Sequence, residues 1–101
     1  MTEHDIQKQI ILELSKRGVV LRLNVGTFRT LDDRFISSGL PPGTSDLEFI
    51  GQGYIAFIEV KKPGGRVTWE QINFITRMRK LGHRAGVARS VEDALKIIQE
   101  E

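Results

Sequence analysis

Three residues of this sequence, Asp46, Glu59 and Lys61, have the types and spacing of a site that acts on phosphates. Asp46 follows a Gly/Pro-rich turn at the start of one short apolar segment, and Glu59 and Lys61 end the next segment. Two carboxylates and a backbone carbonyl can hold a hard divalent cation such as Mg²⁺ or Mn²⁺. Such a cation polarises a phosphoryl oxygen, and a lysine beside it can orient water or stabilise developing charge. We therefore predict a phosphodiester-cleaving site in which Asp46, Glu59 and the Val60 carbonyl bind the metal.

The placement of Glu59 and Lys61 follows from the period of a β-strand. Side chains two positions apart share a face of a strand, so Ile55, Phe57, Glu59 and Lys61 should point the same way. An acid and a base then end an apolar face that helices are expected to cover. A charged group buried in this way needs a partner or a metal to offset its desolvation.

Asp46 reaches the same place if the two segments form a hairpin. Residues 51–53, Gly-Gln-Gly, are typical of a three-residue turn between antiparallel strands. With that turn, Asp46 should lie opposite about Ile58, one position from Glu59. The hairpin alone would bring both carboxylates and the lysine together.

The remaining sequence predicts the elements that hold this hairpin. Thr2, Thr68 and Ser90 have the character of helix N-caps, and Gly18 and Gly82 of helix stops. The order we predict is αβββαβα: a helix over 2–18, strands over 19–25, 45–50 and 54–62, a helix over 68–81, a strand over 84–89 and a helix from 90 onward. Residues 26–44 are predicted to form a long irregular loop. The fold class is α/β, one domain over residues 1–101 with a mixed sheet flanked by helices.

The length, composition and charge of the chain limit which classes of protein it can belong to. A chain of 101 residues that is 40% hydrophobic can bury one modest core. It contains no cysteine, which excludes disulfides and thiolate metal sites, and its net charge of +2 permits binding to a polyanion. The start of the sequence is polar and acidic, and no segment has the roughly 18 apolar residues of a membrane span. We expect no membrane association and a cytoplasmic protein of a bacterial or phage-infected cell.

Two further polar residues belong to the predicted apolar faces of helices. Glu3 falls on the arc of Ile10 and Leu14 in the first helix, and Gln71 falls on the sheet-facing side of the second. Both could face the site. Each also has a simpler interpretation, because Glu3 favours the dipole of a first helical turn and Gln71 can close a capping box with Thr68.

The sequence resembles the VRR-NUC family of the PD-(D/E)xK nuclease superfamily at three places. These are residues 39–47, a Gly/Pro-rich turn that ends in Asp46 and Leu47, then Ile58-Glu59-Val60-Lys61, and then Gln71 in the following helix. Ser45 stands where the superfamily has the proline of its name. Since that proline shapes the turn, we expect the substitution to leave the chemistry unchanged.

The resemblance implies a fold and an activity. The fold would be restriction-endonuclease-like, and the catalytic residues would be Glu3, Asp46, Glu59, Lys61 and Gln71, with Glu3 as a further metal ligand. The activity would be a Mg²⁺- or Mn²⁺-dependent DNA endonuclease, acting on structured or branched DNA in the manner of a Holliday-junction resolvase. Branched substrates with paired strands would favour a homodimer.

Basic residues are candidates for contact with the phosphate backbone. They lie near the predicted loop and beside the predicted site: Arg22, Arg29, Arg34, Lys62 and Arg66. Such contacts position nucleic acid without reading its sequence. A second cluster on the helix over 68–81 fits an exposed charged face equally well. Trp69 lies off the apolar arc of that helix, where it would stack on a base or pack at a subunit contact.

Less specific interpretations remain open. An acid two positions before a lysine occurs by chance in about half of chains of this length, so Glu59 and Lys61 also fit a structural ion pair. The fold would then serve a nucleic-acid-binding module that does not cut, or a structural subunit of a DNA repair or packaging complex. DNA binding without cleavage would identify the module, and an Asp46→Ala variant with full function would identify the structural subunit.

Overall fold

The computed structural model describes residues 1–23 and 27–99, and its centre is a four-stranded mixed sheet with helices on both faces. The elements in chain order are α1 (Glu3–Leu14), β1 (Val19–Arg22), β2 (Thr27–Arg29), β3 (Phe35–Ser37), β4 (Leu47–Ile50), β5 (Ile55–Val60), α2 (Trp69–Lys80), β6 (Arg84–Ala88) and α3 (Val91–Ile98). The sheet order is β1-β4-β5-β6, with β5 and β6 parallel and the other pairs antiparallel. The predicted α/β class and mixed sheet are confirmed, and β2 and β3 are additional.

The three helices begin where their caps predict. Thr2 and Thr68 each form a capping box with the third helical residue, and the Ser90 side chain accepts a hydrogen bond from the Asp93 amide. The predicted stop of the second helix is also confirmed, because Leu81 is its C-cap and Gly82 follows with φ of 93°. Local sequence therefore fixes where each helix enters the sheet.

The end of α1 differs from the prediction. The helix stops at Leu14 with Ser15 as its C-cap, four residues before Gly18. Gly18 lies so close to β4 that a Cβ there would come within 2.4 Å of the Ile50 carbonyl oxygen. The chain must leave the helix early to bring Gly18 against that strand. The predicted strand over 19–25 is seen as β1 at the sheet edge, and its residues 24 and 25 lie outside the described residues.

The apolar core lies on one face of the sheet, under α1 and α3. Alternate residues of β4 and β5 point into it, which is the period-2 pattern of a strand with one buried side. The core consists of Ile6, Ile10, Leu14, Leu47, Phe49, Ala56, Ile58, Val60, Ala88, Ala94, Ile97 and Ile98. Helix α2 covers the other face at β5 and β6, where the Phe74 ring meets the Phe57 ring edge to face. No residue of α2 is fully buried.

The register of β4 and β5 corrects the predicted turn by one residue. Ile50 pairs with Ile55, so the connection is four residues long, and the Gly51 amide donates to the Tyr54 carbonyl at 3.0 Å. Leu47 pairs with Ile58. One position further along each strand, Asp46 therefore faces Glu59 itself rather than Ile58.

The predicted loop over 26–44 contains a hairpin, so that prediction is wrong for part of its length. Strands β2 and β3 pair as a separate two-stranded sheet, and we call residues 27–37 the arm. At its tip the Thr30 amide donates to the Arg34 carbonyl, and Asp33 has φ of 67°. Strands of three residues, with no Asn-Gly or Asp-Gly turn between them, give little period-2 signal. Residue 26, where the predicted loop begins, and residues 100–101, the end of the last predicted helix, lie outside the described residues.

Across the two described ranges, 1–23 and 27–99, no helix combines the length and the apolarity needed to cross a bilayer.

Candidate functional site

Three carboxylates meet at the end of β5, beside the start of β4. One carboxylate oxygen from each of Glu3, Asp46 and Glu59 lies within 4.8 Å of the other two. Glu3 is the first residue of α1, and because helical side chains tilt towards the N-terminus, it extends past the helix end to the sheet. Glu59 is buried, with 2% of its surface exposed, whereas Glu3 and Asp46 are half-buried. We call these three residues the acidic triad.

Asp46 is held from both sides by backbone groups. Its Oδ2 accepts a hydrogen bond from the Val60 amide at 2.8 Å, and its carbonyl accepts one from the Leu23 amide at 2.8 Å. The first bond joins the start of β4 to the end of β5, and the second extends the pairing of β1 with β4. The orientation of the Asp46 carboxylate therefore depends on the sheet, rather than on its own side-chain rotamer alone.

The turn before Asp46 packs against the start of α2. Gly43 has φ of 89°, and a Cβ there would lie 2.2 Å from the Glu70 carbonyl oxygen. Only glycine fits such a position without strain. The turn is closed by Thr44, whose amide and hydroxyl both donate to the Pro41 carbonyl. The Gly/Pro-rich segment therefore forms the turn before Asp46 and also contacts the start of α2.

Glu59 is the electrostatic centre of the site. Its Oε1 is buried and has no hydrogen-bond partner among the described residues, and its Oε2 lies 3.9 Å from Lys61 Nζ. Burial raises the pKa of Glu59 to about 8, helped by a hydrogen bond and by the charge of Asp46, while the Lys61 ammonium opposes the rise. When all three carboxylates are ionised, their like charges repel one another and Glu59 Oε1 has no hydrogen-bond partner among the described residues. A bound cation would offset both effects.

The donor set of the triad fits a hard divalent cation. All three side chains offer oxygen, with no sulfur or imidazole among them, and hard cations such as Mg²⁺ and Ca²⁺ take oxygen ligands. The Val60 carbonyl, which we also predict as a ligand, belongs to the residue whose amide orients Asp46. Its coordination of a metal remains a prediction.

Lys61 lies directly beyond β5, within the site. Its amide donates to the Ala88 carbonyl at 3.0 Å, and 12% of its side chain is exposed. Gln71 is held at the start of α2, where its Oε1 accepts from the Thr68 amide at 2.9 Å. The capping-box interpretation of Gln71 is therefore confirmed, and a role for it at the site stays a prediction.

The predicted phosphate-binding residues fall into two groups. Arg22 lies beside α1, where its guanidinium donates to Gln7 at 3.4 Å, and Lys62 and Arg66 are exposed in the segment that follows Lys61. Arg29 and Arg34 are instead on the arm. There they form exposed ion pairs with the arm's own Asp33 and Asp32, respectively.

The structure adds Arg89, which sequence patterns did not single out. Its guanidinium donates to the Lys62 carbonyl at 2.8 Å and so ties the end of β6 to the segment after Lys61. The two residues are 27 positions apart, and only the parallel pairing of β5 with β6 brings them together. Ser45 is fully buried, and its hydroxyl has no hydrogen-bond partner among the described residues.

Comparisons with known proteins agree with this fold. Residues 1–92 match the model of the VRR-NUC domain family. A solved structure described as a VRR_NUC domain protein superposes with a TM-score of 0.69 at 19% sequence identity, covering 99% of this chain and 87% of that one. At this identity the likeness shows the fold. A search of curated proteins gives no match.

The raised pKa of Glu59 gives a test of the buried carboxylate. The pKa is near 4.5 in the unfolded chain and about 8 in the folded one, so the folded protein binds more protons between these values. In chelator, the stability of the wild type should therefore fall as the pH rises from about 4.5 to about 8. Glu59→Gln cannot ionise, so its melting temperature should exceed that of the wild type by about 4 °C or more at pH 8, with the gap closing near pH 5.

The control for this measurement is Glu48→Gln. Glu48 is a half-buried glutamate of β4 outside the triad, so its substitution should shift the melting temperature by a similar small amount at both pH values. A Glu59→Gln profile parallel to the wild type would show that Glu59 does not carry the predicted proton.

Proposed function

The chain belongs to the VRR-NUC domain family, and from that premise we propose that it is a divalent-metal-dependent DNA endonuclease. The observation that carries the proposal is the convergence of the acidic triad, with its buried unpartnered Glu59 oxygen, beside the ammonium of Lys61. A structural ion pair would need one acid for one base. Three acids around one lysine leave an excess of negative charge that a bound cation would neutralise.

The metal we propose is Mg²⁺ or Mn²⁺, held by Glu3, Asp46 and Glu59 together with the Val60 carbonyl. Support comes from the all-oxygen donor set and from the backbone bonds that fix Asp46. When bound, the cation supplies Lewis acidity towards a phosphoryl oxygen and lowers the pKa of water. The chain's own contribution is to hold three ligands in place before the substrate arrives, because orientation set in advance lowers the cost of reaching the transition state.

Lys61 is the proposed partner of the reacting phosphate. It shares a strand face with Glu59, and its amide is fixed to β6, so the ammonium is held on the side where the triad lies. There it orients the attacking water and stabilises the charge that develops on the phosphate. Gln71, held at the start of α2 by Thr68, is proposed to support this arrangement from the neighbouring helix.

The proposed substrate is structured or branched DNA, cut in the manner of a junction resolvase. Arg22 precedes Leu23, whose amide donates to the Asp46 carbonyl, and Lys62 and Arg66 follow Lys61 in the chain. These three basic residues are exposed and can contact backbone phosphates. Such contacts do not read base sequence, so shape would decide where the enzyme cuts. The proposed location is the cytoplasm of a bacterial or phage-infected cell, where DNA and Mg²⁺ are both available.

We further propose a homodimer in which a second copy covers the arm. Leu31, Phe35 and Ile36 are exposed on it, and an isolated hairpin of two short strands is only marginally stable in water. Because Arg29 and Arg34 are paired with the arm's own aspartates, the arm offers no net charge to DNA. A protein surface suits it better, and a two-fold dimer would match the paired strands of a branched substrate.

The nuclease proposal is tested by cleavage of linear duplex, single strand, flap, four-way junction and supercoiled plasmid, in Mg²⁺, Mn²⁺ or chelator. The wild type should cut only with metal. Lys61→Ala should lose about 100-fold or more in rate, because charge on the phosphate is no longer stabilised. The control Lys62→Ala removes an exposed cation next to the site, and it should weaken DNA binding yet cut at nearly the wild-type rate once the DNA is saturating.

The alternatives give different outcomes in the same assay. Binding without cleavage in either metal would replace the nuclease with a nucleic-acid-binding module. No binding to any of these substrates would favour a structural subunit of a repair or packaging complex.

The dimer proposal is tested by sedimentation velocity at micromolar concentration. The wild type should sediment as a dimer, and Phe35→Ser should shift it to monomer because the arm loses a large exposed aromatic ring. Leu12→Ser is the matched control, since Leu12 is equally exposed but lies on α1. A wild type that stays monomeric at every concentration, with and without DNA, contradicts the proposal.

A further inference from the structure

Trp69, the one tryptophan of the chain, is exposed at the start of the helix that packs on the turn before Asp46. It is the first residue of α2, and 75% of its surface is exposed. The indole of Trp69 is not needed to begin α2, because Thr68 and Gln71 form the cap of that helix. We propose that Trp69 is a stacking platform for an unpaired base, and that it directs cleavage to places where single-stranded DNA meets duplex. The inference rests on the proposed nuclease function and names the feature of the substrate that this surface recognises.

Two connections link the first turn of α2, which begins with Trp69, to the chain segments that carry the site residues. The first is the short segment from Lys61, which turns at once because the Gly65 amide donates to the Lys62 carbonyl at 2.9 Å. The second is the contact of Gly43 with Glu70, which presses the first turn of α2 against the turn that delivers Asp46. The helix turn that begins with Trp69 therefore follows one of these segments in the chain and packs against the other.

The start of α2 is also rigid. The Thr68 hydroxyl accepts from the Gln71 amide at 3.2 Å, and the Gln71 side chain accepts from the Thr68 amide at 2.9 Å. These reciprocal bonds flank Trp69 on both sides. An indole on a fixed backbone loses little conformational entropy when it contacts a ligand, which favours its use as an anchor.

The surroundings of Trp69 have the charge of a single-strand site. Lys62 and Arg66 are exposed on the segment that leads into α2, and Arg89 fixes the Lys62 carbonyl. Glu70, the acid of this turn, is exposed, and its backbone carbonyl and Cβ pack on Gly43. Cations that follow the phosphates, next to an aromatic ring that takes a base, are the usual means of binding single strands without sequence preference.

Duplex DNA cannot use this platform along its length. Bases in a duplex are stacked on one another, so their faces are open only where a strand is unpaired or a helix ends. Ile72, one helical turn from Trp69 and also partly exposed, widens the apolar surface on the same side of α2. The platform should therefore select flaps, forks and junction centres over closed duplex.

The test uses the fluorescence of Trp69, which reports on this one position because the chain has no other tryptophan. The wild-type protein is titrated in chelator with oligodeoxythymidylate, and separately with a covalently closed circular duplex at equal phosphate concentration. Stacking predicts saturable quenching by the single strand and none by the closed duplex. Trp69→Ala should bind the single strand about tenfold more weakly, with binding to closed duplex unchanged within about twofold.

Two further variants separate stacking from structure. Trp69→Phe keeps a ring and should recover most of the single-strand affinity. Leu81→Ala removes an exposed apolar side chain at the other end of α2 and should change nothing. Both Trp69 variants should melt within a few degrees of the wild type, because an exposed side chain contributes little to the core.

Three results would overturn the inference. Equal quenching by both DNAs would show that Trp69 senses binding without selecting unpaired bases. Unchanged single-strand affinity in Trp69→Ala would exclude stacking. A blue shift of the emission with rising protein concentration, in the absence of DNA, would place Trp69 in a subunit contact.

The nuclease proposal can fail separately. Quenching by the single strand, without cleavage of any DNA in Mg²⁺ or Mn²⁺, would keep the stacking platform and reject the enzyme. Normal cleavage of flaps and junctions by Trp69→Ala would keep the enzyme and reject the platform.

Discussion

The hydrogen bond from the Val60 amide to Asp46 Oδ2 joins the two chain segments that form the site. Asp46 faces Glu59 because of the register of β4 with β5, and this bond then orients the Asp46 carboxylate, which lies close to Glu3 and Glu59. The Gly43 turn, which leads to Asp46, packs on the capped start of α2. The site is therefore held by backbone contacts at the ends of β4 and β5 and by the turn before Asp46. Such support gives the precision that a metal site requires.

The burial of Glu59 within the acidic triad destabilises the folded protein, and another part of the fold compensates for this. Burying Glu59 next to Asp46 raises its pKa to about 8, so at neutral pH the metal-free protein retains an acid that prefers to be neutral. The apolar face under α1 and α3 supplies the stability that offsets this cost, since most of its side chains are completely buried. On the opposite face, α2 is only half-buried, which leaves its start and Trp69 open to a substrate. One face of the sheet carries the core that stabilises the molecule, and the site lies at the end of β5 beside the start of β4.

How much of the fold and the site could be predicted from sequence depends on how far apart the interacting residues lie in the chain. The caps of all three helices are local signals and were predicted correctly, as was the meeting of Asp46 with Glu59, because one hairpin links them. The register was missed by one residue, since the turn length depends on the bond of Gly51 with Tyr54.

The features that could not be predicted depend on contacts between residues far apart in the sequence, or on strands too short to show a pattern. The early end of α1 depends on the contact of Gly18 with β4, and the contact of Arg89 with Lys62 depends on a parallel strand pair. The strands of the arm were too short to give a period. The sequence indicates roles for Gln71 and Trp69, and the structure shows what holds Gln71 in place and how far Trp69 is exposed.

The most direct measurement of the central claim, that the acidic triad is a cation site, is titration calorimetry of Mn²⁺ in the absence of DNA. The wild type should bind with an affinity that rises between pH 6 and pH 8, because the cation must displace the proton from Glu59. Asp46→Asn should abolish that binding, while Glu48→Gln, outside the triad, should retain it. Equal binding by the wild type and Asp46→Asn, or no binding by the wild type at pH 8, would contradict the account.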